Sequence, residues 1–140
     1  GDRDYDSVRA FYEREHANAE VHRFIHDMER AYRAADLILC RAGATTLFEI
    51  MAMGKAAILV PYPYAANDHQ TLNAKTLVDA GAAVMVADSG LNGETLGRLV
   101  RELKENPDRR RRMEERAASL AQPRAAEKIA DLCYRLVGNE

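Results

Sequence analysis

Three short apolar runs, each followed by a helical pattern, constrain the fold of this chain more than any other feature. Leu37-Ile38-Leu39-Cys40, Ala57-Ile58-Leu59-Val60 and Ala83-Val84-Met85-Val86 are uninterrupted by polar residues. Runs of this kind predict strands covered on both faces, whereas a half-exposed strand would alternate. Between them, Thr45 to Met53 and Asp68 to Ala80 read as helices. They are closed by Gly54 and Gly81, the residue type favoured just past a helix end. Strands alternating with helices through short loops predict an α/β fold: a Rossmann-like parallel sheet with right-handed crossovers and helices on both faces. In such sheets ligands sit beyond the carboxyl ends of the strands.

The flanks add helices and one further strand. Val8, Phe11 and Tyr12 share a helical face, which predicts a helix over 4–15. Val21 to Ile25 is a strand candidate and Met28 to Ala35 a short helix. Leu96, Leu99, Val100 and Leu103 form one stripe. Asp108 is a candidate cap for a helix running to Ala121, and Pro123 opens a last helix with Ile129, Leu132, Cys133, Leu136 and Val137 on one side. The 140 residues fit one domain, and 47% apolar residues supply a core. Gly1 leads directly into a helical pattern without a strand, so we read the chain as part of something longer.

A net charge of −2 gives no basis for bulk electrostatic binding of nucleic acid. Cys40 and Cys133 make no disulfide framework and read as buried free thiols of a reducing compartment. No apolar run approaches the roughly 18 residues of a membrane span. The expectation is a cytoplasmic protein, with room for peripheral contact at a membrane. Arg109 to Arg112 read as a solvated helix face, with anionic lipid headgroups as the alternative.

The chemistry concentrates in two loops that follow strand carboxyl ends. Gly43-Ala44-Thr45-Thr46 brings a glycine and two hydroxyls to a helix start. Gly43 can take positive φ or let a ligand approach the backbone. The first helical N–H groups then face phosphates, aided by the helix dipole. An ordinary strand-to-helix turn is the alternative. Thr46-x-x-Glu49 is also a capping-box pattern, in which Glu49 bonds back to the cap. As a ligand contact, Glu49 accepts hydrogen bonds from two vicinal ribose hydroxyls. The second loop, 61–74, favours that role: Asp68, His69 and Gln70 at a helix start suit sugar hydroxyls, and Asn73 can brace the loop; the alternative is Asp68 as an ordinary cap with His69 and Gln70 as exposed first-turn residues. Tyr62 and Tyr64 offer aromatic faces. Phe24, Ile25 and Met28 follow the first strand candidate. Ile25 can present its backbone to a base edge, and plain core packing is the alternative, favoured for Phe24. No catalytic triad and no metal-ligand spacing appears, and no cofactor is expected.

Phe24-Ile25-x-Asp27-Met28, Arg41-Ala42-Gly43-Ala44-x-Thr46-x-x-Glu49 and Asp68-His69-Gln70-x-x-Asn73-Ala74 resemble the C-terminal domain of the MurG family. These are two-domain GT-B N-acetylglucosaminyltransferases of peptidoglycan lipid-intermediate synthesis. Gly81-Ala82-Ala83 and Pro123-x-Ala125-Ala126 fit as well, so the resemblance covers most of the chain. It implies that the chain is the UDP-N-acetylglucosamine-binding part of an inverting hexosyltransferase acting on a lipid-linked muramoyl-pentapeptide at the inner face of the plasma membrane. By position, the uracil contact falls on Ile25 with Phe24 nearby. The diphosphate contacts fall on Ala44, Thr45 and Thr46, the ribose carboxylate on Glu49, and the sugar-reading pair on His69 and Gln70. The family's catalytic histidine and acceptor site belong to an N-terminal domain, so no catalytic residue is expected here and the isolated chain should be inactive. Alternatives are a donor-binding half that needs a separate acceptor-domain partner, or a relative of UDP-N-acetylglucosamine 2-epimerase.

His26 stands where aspartate is common, and Lys55 where proline is frequent. The family domain also begins with two more strands and a Gly-rich loop, which residues 1–140 lack. In the order 3-2-1-4-5-6 that pair would lie between the strands at Val21 and Leu37. Three outcomes follow: rearranged pairing, association with another copy, or a longer chain.

Overall fold

The computed structural model describes residues 2–138. The chain divides into two compact units, 1–34 and 35–140. The first holds α1 (Tyr5–Arg14) and α2 (Met28–Ala34). An Arg9–Glu13 pair supports α1 at helical spacing. Asp27 caps α2, its carboxylate accepting from the Arg30 N–H at 2.9 Å.

The strand predicted over Val21–Ile25 does not form. A strand needs a backbone ladder, and this segment is tied down through a side chain instead. Arg23 pairs with Asp2 and Asp6 and lies 4.1 Å over the Tyr5 ring. Phe24 is therefore not core: it is 71% exposed and meets the His26 ring edge-on.

The second unit is built on a three-stranded parallel sheet, β1 (Ile38–Cys40), β2 (Ala57–Leu59) and β3 (Ala83–Met85), in the order β1-β2-β3. The register sets Leu39 beside Ile58 and Ile58 beside Val84. Five helices accompany the sheet: α3 (Ala44–Met53), α4 (His69–Asp79), α5 (Gly93–Glu105), α6 (Pro107–Ser119) and α7 (Ala125–Val137). This is the α/β, Rossmann-like architecture the apolar runs predict.

β2 is the centre of the core. Ile58 lies in a cluster with Ala56, Leu99 and Leu103 of α5 and Met113 of α6. Ala57 and Leu59 alternate to the other face and are equally buried. α4 packs on β3 and against α3, contributing Ala74 and Leu77 to the interior. β1 departs from the expected double coverage. Leu39 is 47% exposed although it stands level with the fully buried Ile58. It lies on an outer strand, and the cluster that encloses Ile58 does not reach over it. Rearranged pairing, one of the three outcomes above, is absent among the described residues: the three strands pair only with one another.

Helix ends show three further departures. α3 begins at Ala44 with Gly43 as its cap, so Thr46 lies inside the first turn and the Thr46–Glu49 capping box is not formed. Asn106, not Asp108, caps α6, accepting from the Arg109 N–H at 3.0 Å. Pro107 then occupies the first helical position, where its missing N–H costs nothing. α7 has an apolar side, as predicted, but Ile129, Leu132, Leu136 and Val137 are all exposed on it. Cys133 is likewise exposed rather than buried.

Candidate functional site

The carboxyl ends of β1 and β2 open into the two loops singled out above. Where α3 starts, the first helical hydrogen bond runs from the Leu47 N–H to the Gly43 carbonyl. The N–H groups of Ala44, Thr45 and Thr46 precede it and have no backbone acceptor. No acidic side chain occupies this first turn. The result is a patch of unpaired donors at the positive end of a helix dipole. Gly43 does not take positive φ: it is extended, at φ −68 and ψ 141. A side chain there would meet nothing within 4 Å. The fold itself does not require glycine at this position, and the space above it is open.

Gln70 joins the two loops. Its side-chain Oε1 accepts from the Ala42 N–H at 3.1 Å and from the Tyr62 N–H at 2.9 Å. Two donors on one atom fix which end of the amide is oxygen, so Nε2 is left as a donor beside the loops. Asn73, one turn later, braces the same segment through Nδ2 to the Ala42 carbonyl at 3.3 Å. The turns after β1 and β2 are thus adjacent and held to a common helix, α4.

Arg41, which opens the Arg41–Glu49 motif but has no role assigned from sequence, ties in the third strand. Its Nη1 donates to the carbonyls of Val60 and Pro61, both at 3.3 Å, and pairs with Asp88 at 2.5 Å. The guanidinium also lies 5.7 Å from the centre of the Tyr62 ring. Its partners are 19 to 47 residues away in sequence, beyond the reach of any local motif. Next to Arg41, between the loops after β2 and β3, a cleft of about 410 Å³ is lined by Pro61, Tyr64, Asp68, Thr71, Asp88 and Ser89.

The remaining candidates fall into two groups. Glu49 is half-buried on α3, one turn on from Thr45 and Thr46 and so on the same side of the helix. Asp68 precedes α4 but does not cap it through a backbone N–H. Its carboxylate accepts from the Thr71 hydroxyl at 2.6 Å. Asn67 and Asp68 both lie in the left-handed region, at φ 50 and φ 52, which points the start of α4 sharply away from the loop. The exposed His69 holds its Nδ1 2.7 Å from the Ala66 carbonyl, which sets Nδ1 as the donor. Phe24, Ile25 and Met28 belong to the first unit and are exposed there. Burial lifts the thiol of Cys40, at the end of β1, to a pKa of about 11, so it is no nucleophile at neutral pH.

Comparison with known proteins converges on one family. The profile of the Glycosyltransferase family 28 C-terminal domain matches residues 1–129. A UDP-N-acetylglucosamine--N-acetylmuramyl-(pentapeptide) pyrophosphoryl-undecaprenol N-acetylglucosamine transferase of Myxococcus xanthus is 51% identical over 137 residues, covering 98% of this chain and 36% of that protein. The transferase of the same description from Syntrophus aciditrophicus is 48% identical, with 98% and 38% covered. Among solved structures, Acinetobacter baumannii MurG superimposes with a TM-score of 0.84 at 41% identity, over 94% of this chain and 38% of that one. The chain therefore spans little more than a third of the length of these relatives. On the extent of these matches, and on a fold that agrees with them, the chain belongs to the glycosyltransferase family 28 C-terminal domain family.

Proposed function

We propose that this chain is the donor-binding domain of an inverting N-acetylglucosaminyltransferase and holds UDP-N-acetylglucosamine at the carboxyl rim of its sheet. The observation that carries the proposal is the double hydrogen bond to Gln70, which brings the phosphate-competent start of α3 and the polar start of α4 to one place. The free N–H groups of Ala44, Thr45 and Thr46 receive the diphosphate, and the open space at Gly43 admits it. Glu49 accepts from the ribose hydroxyls. The cap of α3 is Gly43, so the capping-box reading of Glu49 does not compete with this role. Gln70, oriented by its own oxygen, donates Nε2 to a sugar hydroxyl, with Asp68, His69 and Asn73 around it. Phe24, Ile25 and Met28 are the proposed uracil contacts.

The domain's contribution to the reaction is electrostatic. As the glycosidic bond breaks, charge grows on the departing diphosphate, and fixed N–H donors offset it without reorganising. The activating base and the lipid-linked muramoyl-pentapeptide acceptor are assigned to sequence outside these 140 residues. Residues 1–140 are then a partial GT-B domain, working at the inner face of the membrane. No helix among the described residues is long and apolar enough to cross one.

Calorimetric titration with UDP and with UDP-N-acetylglucosamine tests the proposal. Glu49→Ala should weaken both by about 1–3 kcal/mol, the scale of hydrogen bonds to a charged group. Equal affinity of the two proteins would remove the ribose role. The chain alone should transfer no sugar to a lipid-linked acceptor, and turnover without a partner would refute the assigned division of labour.

A further inference from the structure

We propose that the opposite rim of the sheet carries a second, separate site that binds a phosphate group. α6 bears Arg109, Arg112 and Arg116 at a spacing that sets all three on one side of the helix. They converge on a cavity of about 180 Å³ beside Gly81, with Val84 and Met113 at its base. Gly81 lies just before β3, so this cavity is at the amino end of the strands, away from the loops described above.

Three observations make this more than a solvated charge run. No carboxylate lines the cavity. Arg109 is paired with Glu102, but Arg112 and Arg116 have no ion-pair partner among the described residues. Guanidinium groups three and four positions apart repel each other, and among the described residues no ion pair offsets that cost for Arg112 and Arg116. The neighbouring Arg110 behaves differently: it turns to Asp36 and Glu114 and stays out of the cavity. Finally, Gly81 makes the room. A Cβ at that position would run into the Arg116 guanidinium, which lies over the glycine backbone.

Planar guanidinium groups offer paired donors that match phosphate oxygens. A cavity of about 180 Å³ has room for a phosphate group. The group can come from free phosphate or from an anionic lipid headgroup, and the two sources are separable by experiment.

The test follows amide signals of the 140-residue chain during titration with inorganic phosphate. Shifts are expected at Gly81 and Val84, scored apart from any at Gly43 to Thr46. The exposed pair Arg112→Gln/Arg116→Gln should weaken the Gly81 and Val84 response about tenfold or more, with an unchanged circular dichroism spectrum. Glu49→Ala should leave that response intact, which separates this site from donor binding. A flotation assay with phosphatidylglycerol vesicles then names the source. Flotation that is lost in the double variant and displaced by phosphate assigns a headgroup; no flotation assigns free phosphate. Absence of both the amide shifts and flotation overturns the site. So do shifts or flotation that survive the double substitution.

Discussion

Gly43 and Gly81 stand at opposite rims of the same sheet and are glycine for opposite reasons. Gly81 has φ +70, a backbone angle that disfavours a side chain, and a Cβ there would also have to push aside the Arg116 guanidinium. Gly43 has an ordinary extended backbone and open space where a Cβ would sit. Folding accounts for the first; nothing among the described residues accounts for the second. The two rims differ in the same way in their chemistry. One presents backbone N–H groups whose positions the fold dictates, and the other presents long side chains around a hollow. A glycine the fold does not need, next to donors the fold does not use, marks where an outside molecule is expected.

The largest effect that would break this contrast is at Gln70. Gln70→Ala leaves the fully buried Ala42 without an acceptor for its N–H, along with Tyr62, and should destabilise the chain by about 2–3 kcal/mol in urea titration. Gln70→Glu keeps an oxygen for both donors, removes the Nε2 donor and adds a negative charge. It should hold the fold, weaken UDP through charge repulsion, and weaken UDP-N-acetylglucosamine further through the lost donor. If the two variants lose stability equally, the oxygen is not what holds the carboxyl rim together.

The glycines sharpen the comparison at intermediate size. Gly81→Ala should lower stability by about 1–2 kcal/mol, the cost of a left-handed backbone with a Cβ. Gly43→Ala should change stability by less than about 0.5 kcal/mol, as at an uncrowded surface position. It should nevertheless reduce UDP affinity by on the order of tenfold in calorimetry. Unaltered affinity in Gly43→Ala would mean that the open space is never occupied.

The smallest effect concerns Cys40, beneath the first loop. Burial disfavours its thiolate and lifts its pKa to about 11. The folded state then keeps a proton that the unfolded state releases near 9, so this contribution to stability is present below pH 9 and is lost as pH rises toward 11. Iodoacetamide should modify the exposed Cys133 well before Cys40 at pH 8, read by peptide mass mapping. Equal rates would show that the carboxyl end of β1 is open to solvent.

Much of the fold is legible because its signals are local. The runs at Leu37, Ala57 and Ala83 specify strands, and Gly54 and Gly81 end helices, without reference to anything distant. Val21–Ile25 misled because a β-prone segment becomes a strand only when a partner offers a ladder. Leu39 misled because coverage of an outer strand is decided by neighbouring helices. The cap of α6 was readable: Pro107 belongs at a first helical position, which makes Asn106 the cap before it. At the site, residue types and their helix-start positions were visible in the loops. What welds them was not. Gln70 reaches back 28 residues to Ala42, and Arg41 forward 47 to Asp88. Only the folded chain supplies those distances.

The shared oxygen of Gln70 also has a kinetic consequence. One rotation of that side chain frees the amide protons of Ala42 and Tyr62 together, so the two should exchange with deuterium in a single correlated event despite lying in different loops. A ligand that grips the amide from its other end would then slow both protons by the same factor, and their paired protection would report occupancy without any label on the ligand.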